Sequence, residues 1–126
     1  MARILIVDDH DLVRASTRAI LESEGHDVHE VGESGAAGEA AHRLAPDLVL
    51  TDLMMPGTPG IDLIAALRAQ GFAGAIIAMS GGGGATGPAN LLAQARERGA
   101  DDCVAKPFHR ADLLAKVAAV LERRRR

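Results

Sequence analysis

An α/β fold, (βα)5, with a five-stranded parallel sheet doubly wound by crossover helices, is what these 126 residues predict. Three observations carry that prediction. Five short apolar runs alternate with five longer segments of helical periodicity, the pattern of a parallel sheet covered on both faces. The first run, ILIV at 4–7, is continuously apolar, as a strand buried on both faces is. Polar residues with chemical potential then follow four of the five runs, as expected where strand ends of an open sheet form a binding edge.

The elements follow in order. Strand one is ARILIV at 2–7. Helix one starts near Asp11, a capping residue type, and ends at Gly25, which tolerates a left-handed turn. Strand two is DVHEV at 27–31, and helix two runs from about 34 to 44, stopping before Pro46. Strand three is DLVLT at 47–51. Helix three follows Gly60, with Ile61, Ile64 and Leu67 on one stripe. Strand four is GAIIAM at 74–79, followed by a glycine-rich loop, GGGGATG at 81–87. Helix four, about 88–98, has only Leu91, Leu92 and Ala95 as an apolar stripe, so it should be held least firmly. Strand five is DCVA at 102–105, and helix five carries Leu113, Leu114, Val117, Val120 and Leu121 on one face. One domain over 1–122 and a solvated basic tail at 123–126 are expected.

Composition narrows the function classes. Hydrophobic residues at 48% and charged residues at 25% exclude a disordered or collagen-like chain. A net charge of −3 gives no broad nucleic-acid footprint, so no direct nucleic-acid contact is expected. The single cysteine excludes an internal disulfide framework, and no signal sequence or bilayer-length apolar run stands out, which makes the cytoplasm the default compartment and leaves no membrane contact expected.

Chemistry concentrates at the strand ends: Asp8 and Asp9 after the first, Asp52 at the third, Ser80 after the fourth and Lys106 after the fifth. In the order 2-1-3-4-5 these four strands are neighbours, about 4.8 Å apart, so Asp9 and Asp52 can share a small ligand. Two carboxylates roughly 5 Å apart repel by about 3 kcal/mol at an effective dielectric of 20. Lys106 supplies one compensating charge. A divalent ion would supply two more, and an all-oxygen site suits Mg2+ or Mn2+. For a single Asp, a solvated acid at a helix start is the ordinary reading; four convergent strand ends favour a site.

The segments ILIVDD at 4–9, DLVLTDLMMPG at 47–57, AMS at 78–80 and GADDCVAKPF at 99–108 together make the chain resemble the receiver domain of two-component response regulators, a CheY-like, flavodoxin-like fold. The resemblance implies that Asp52 accepts a phosphoryl group from a phosphohistidine on a sensor histidine kinase or histidine phosphotransfer protein. It implies that Asp8, Asp9, Asp52 and the Met54 carbonyl organise Mg2+ and that Lys106 and Ser80 neutralise the phosphoryl oxygens. It also implies a cis peptide before Pro107, and a switch that assists its own phosphorylation and dephosphorylation rather than a free-standing enzyme. Output is expected through a downstream protein target, or a homodimer, at helix four, strand five and helix five; a stand-alone phosphate sink is the alternative.

Some positions depart from the family pattern. Cys103 stands where an aromatic switch residue is usual, and a thiol cannot swing a ring between buried and exposed states. As a redox sensor it would need exposure and a depressed pKa; a buried small hydrophobe is the simpler expectation. Ordering of residues 81–90 on phosphorylation is the expected substitute for the ring. Pro59 reads as a turn former. His10 reads as a helix-start side chain facing solvent rather than a metal ligand, since hard ions prefer oxygen. His26, His29, His42 and His109 have no ligand-like spacing, and Phe108 reads as core or as part of an output surface.

Two other classes fit less well. A haloacid-dehalogenase-type phosphohydrolase needs a second Asp two positions after the nucleophile, where Met54 stands. A flavodoxin-like binding module needs stacking aromatics, and the chain has no Trp or Tyr and two Phe.

Overall fold

The computed structural model describes residues 1–55, 57, 59–81 and 87–125, and their side chains except at 81, 87–92 and 125. Among the described residues, five parallel strands, β1 (Arg3–Val7), β2 (Asp27–Val31), β3 (Leu48–Asp52), β4 (Ala75–Gly81) and β5 (Asp102–Lys106), form one sheet in the order β2-β1-β3-β4-β5. Five α-helices cross between and after them: α1 (Asp11–Glu22), α2 (Ala37–Leu44), α3 (Gly60–Ala69), α4 (Gly87–Arg98) and α5 (Arg110–Arg125).

Alternation along each strand splits the core into two layers. Leu5, Val7, Val49, Ile76 and Ala78 point one way, onto Ala40 and Ala41 of α2, Ile64 and Leu67 of α3 and Ala95 of α4. Ile4, Ile6, Leu48, Leu50, Ile77 and Met79 point the other way, onto Leu21 of α1 and Leu113, Val117 and Val120 of α5. All five residues of the central strand β3 are buried. Each large aliphatic side chain removed from water contributes roughly 1.5–3 kcal/mol, so the apolar continuity of these strands is what fixes the sheet between two helical layers. Helix α3 buries Leu63 beside the expected Ile64 and Leu67, and Ile61 only partly.

Several boundaries differ from expectation for identifiable reasons. His10, not Asp11, is the N-cap of α1, and Asp11 lies in its first turn. The helix ends at Glu22, where the Ser23 hydroxyl donates to the Ile20 carbonyl at 2.6 Å; the chain then turns through Gly25, whose φ is +84°. A 3-10 turn, Ser34–Ala36, precedes α2, which closes on a left-handed Ala45 at φ +46°. Strand β4 continues two residues past Met79, so Ser80 is held inside the ladder opposite Ala105. In the segment expected to be a basic tail, α5 continues through Arg125, and exposed Arg124 donates to both Asp101 carboxylate oxygens at 2.8 and 3.0 Å and to the Ala73 carbonyl at 2.9 Å. The expected loop behaviour falls on 82–86, outside the described residues, and the Leu91 and Leu92 side chains of the α4 stripe are likewise not described.

Candidate functional site

Parallel strands side by side bring their carboxyl ends to one edge, and β1, β3, β4 and β5 are consecutive neighbours there. Asp8 follows β1, Asp52 ends β3, Ser80 lies one residue before the end of β4 and Lys106 ends β5. Asp8, Asp52 and Ser80 are 0%, 2% and 1% exposed. Burial of two carboxylates this close demands compensation, and Lys106 supplies it: its Nζ donates to Asp52 Oδ2 at 2.8 Å and to Asp8 Oδ2 at 2.9 Å. Burial works to lower the Lys106 pKa, but the hydrogen bonds to Asp52 and Asp8, aided by their charges, outweigh it and leave the ammonium above its ordinary value. The peptide between Lys106 and Pro107 is cis.

Backbone groups fix the remaining oxygens. The Met54 N–H donates to Asp52 Oδ1 at 3.0 Å and the His10 N–H to Asp8 Oδ1 at 2.9 Å. The Met54 side chain is exposed.

One ammonium against Asp8, Asp9 and Asp52 leaves the edge negative. One ligand atom each from Asp8, Asp9, His10 and Asp52 lies within 4.8 Å of the others. Asp9 Oδ1 and Ser80 Oγ are buried with no hydrogen-bond partner among the described residues, a costly state for polar atoms unless a ligand completes them. The carboxylate-rich donor set and the unpaired Asp9 oxygen fit a hard divalent cation such as Mg2+.

His10 departs in part from the solvent-facing expectation: the ring is largely exposed, yet Nδ1 lies 3.4 Å from Asp8 Oδ1 and 3.3 Å from Asp9 Oδ1. Cys103 is buried, and burial foremost pushes its thiol pKa up, the opposite of what a reactive thiolate requires. Phe108 is partly buried against the α5 layer of the core, and Pro59 is the exposed residue at the start of α3.

Two residues that position the site were not singled out from sequence. Arg14 donates to the Asp8 carbonyl at 2.7 Å while its other nitrogens pair with Glu30 at 2.7 Å and Asp11 at 2.8 Å, so it ties the acidic loop to β2. Its i,i+3 spacing from Asp11 was a visible signal; its pairing with Glu30 was not, because it depends on how α1 lies over the sheet. At Gly60 a side chain would run into the Asp52 carbonyl oxygen and sit 2.6 Å from the Leu53 Cα, so only glycine lets α3 start against the backbone that carries Asp52.

A cleft of about 610 Å3 between Asp47, Phe72 and Arg124 includes none of Asp8, Asp9, Asp52, Ser80 and Lys106.

Comparison with known proteins agrees with this geometry. The family model described as the response regulator receiver domain matches residues 4–118. The DNA-binding response regulator MtrA of Mycolicibacterium smegmatis is 41% identical over 121 residues, covering 96% of this chain and 51% of that protein. The transcriptional regulatory protein FixJ of Azorhizobium caulinodans is 36% identical over 118 residues, covering 94% and 54% respectively. The chain thus spans about half the length of these curated relatives. Among solved structures, a CheY-like response regulator receiver domain protein from Methanospirillum hungatei superposes with a TM-score of 0.89 at 27% identity, covering 99% of this chain and 97% of that one.

Proposed function

The chain belongs to the response regulator receiver domain family of two-component signalling, and from that membership we propose that Asp52 takes a phosphoryl group from a phosphohistidine on a sensor histidine kinase or histidine phosphotransfer protein. The observation that carries the reading is the seat of Lys106 Nζ, 2.8 Å from Asp52 Oδ2 and 2.9 Å from Asp8 Oδ2, at the shared edge of four strands.

A carboxylate nucleophile has no proton to lose, so no general base is needed. One Asp52 oxygen forms the new O–P bond as the donor's P–N bond breaks, and the electron pair leaves with the donor imidazole. Transfer through a loose transition state needs alignment and neutralisation of three peripheral oxygens. Lys106 moves its ammonium from the Asp52 oxygen toward one of them, and the unpaired Ser80 hydroxyl donates to another. Asp8, Asp9, Asp52 and the Met54 carbonyl would hold Mg2+, which when bound would supply charge neutralisation on the phosphoryl group. Arg14 and the Met54 N–H keep Asp8 and Asp52 aimed while this happens.

The acyl phosphate adds charge and strong acceptors at Asp52. Ser80 and Lys106 are drawn toward it, carrying the segments after β4 and β5 and the surface of α4, β5 and α5. With Cys103 buried in place of a ring, the signal leaves the site through the positions of Ser80 and Lys106. The switch works in the cytoplasm, and its output is a partner at that surface. The expectation of no nucleic-acid contact is withdrawn: relatives of about twice this length are named as DNA-binding regulators, so control of DNA binding is a proposed output.

Incubation with a histidine phosphotransfer domain carrying labelled phosphate tests the reading. Label should move to the native chain in the presence of Mg2+ and not to Asp52→Asn; equal labelling of both would overturn it.

A further inference from the structure

Four ligand atoms converge on this edge, and the fourth is a nitrogen. His10 is the N-cap of α1 with φ −88° and ψ 106°, and its side chain makes no capping hydrogen bond. Its backbone N–H donates to Asp8 Oδ1 at 2.9 Å. Nδ1 stands 3.4 Å from Asp8 Oδ1 and 3.3 Å from Asp9 Oδ1. The Asp9 oxygen is buried and hydrogen-bonds to nothing among the described residues, so this is a juxtaposition and not a hydrogen bond.

Two donors each about 2.1 Å from one ion, at angles between a right angle and the tetrahedral value, stand about 3.0 to 3.5 Å apart. Both His10 separations fall in that interval. We propose that His10 is a nitrogen ligand of the divalent site, so that this receiver favours an imidazole-binding transition ion such as Ni2+ over Mg2+ more than its carboxylates alone would. The inference rests on the reading that Asp8, Asp9 and Asp52 hold a divalent cation. Affinity rises from Mn2+ to Ni2+ at a mixed nitrogen and oxygen site, and imidazole strengthens that trend where an all-oxygen site suits Mg2+. Exposure of the ring leaves it free to rotate about its side-chain bonds onto an arriving ion. A histidine attracted to the two acids by charge alone would leave the order of ions unchanged.

Mg2+, Mn2+ and Ni2+ binding is measured by competition calorimetry on the native chain, His10→Gln and Asp9→Asn, the last correcting for ions held by other histidines. The ratio of Ni2+ to Mg2+ affinity should fall in His10→Gln by at least about tenfold, the lower bound seen when metal sites lose even an outer partner. An unchanged ratio of Ni2+ to Mg2+ affinity in His10→Gln would overturn the inference while leaving the phosphoacceptor reading intact. No binding of Mg2+ by the native chain would overturn both.

Discussion

Gly60 shows how one atom can govern the site. A Cβ there would collide with the Asp52 carbonyl oxygen, and its N–H already bonds the Leu53 carbonyl at 3.3 Å. Gly60→Ala must therefore push α3 away from the backbone that carries Asp52. Such overpacking costs about 1–3 kcal/mol. The expected result is a lowered thermal midpoint and slower phosphorylation; a variant with native stability and rate would contradict the packing argument. Asp8, Asp9, Asp52 and Lys106 were legible in sequence because ionisable residues directly after apolar runs are conspicuous. Arg14 was not, since its partner Glu30 lies 16 residues away and on another element. The environment of His10 was equally hidden, because a neighbour in sequence says nothing about where an N-cap ring turns.

At the scale of elements, ionic ties join what apolar packing leaves loose. Glu30 of β2 accepts from Arg14 and Arg18 of α1, and the hydrogen bonds from Arg18 and then Arg14 hold its pKa below 4.5 despite burial. The folded state thus binds this proton less tightly than the unfolded one. The contribution is full above about pH 4.5 and is lost as pH falls through the lowered folded value. Thermal melts should show native stability falling on acidification through that window, with a shallower fall in Glu30→Gln; parallel curves would sink the assignment. Asp101, between α4 and β5, accepts from the Ile76 N–H at 2.8 Å, from Arg68 at 3.0 Å and from Arg124 at 2.8 Å. Replacing it by Ala leaves two guanidinium partners short, and hydrogen bonds to charged groups contribute about 1.5–3 kcal/mol. Asp101→Ala should lower the chemical denaturation midpoint, and Arg124→Ala should cost less; the reverse order would be contradictory. The pairing of Arg124 was not legible in a run of arginines, because it depends on the register of α5, which places Arg124 beside an acid 23 residues earlier.

For the molecule as a whole, alternation of apolar runs with helical segments was enough to predict the architecture, because a parallel strand buried on both faces has few other uses. Given the order 2-1-3-4-5, the convergence of the polar strand ends followed. Helix ends did not follow as well: they depend on local turns, such as the hydroxyl of Ser23 and the left-handed Ala45, that composition does not announce. The fold and the site are linked by one cause. The sheet puts acids and a lysine at a common edge, where their net negative charge fits a divalent cation. Intact mass after incubation with a small phosphodonor and Mg2+ tests this most directly. The native chain should gain the mass of one phosphoryl group, lost on removing Mg2+ and absent in Asp52→Asn; no adduct on the native chain, or the same adduct on both, would contradict the account.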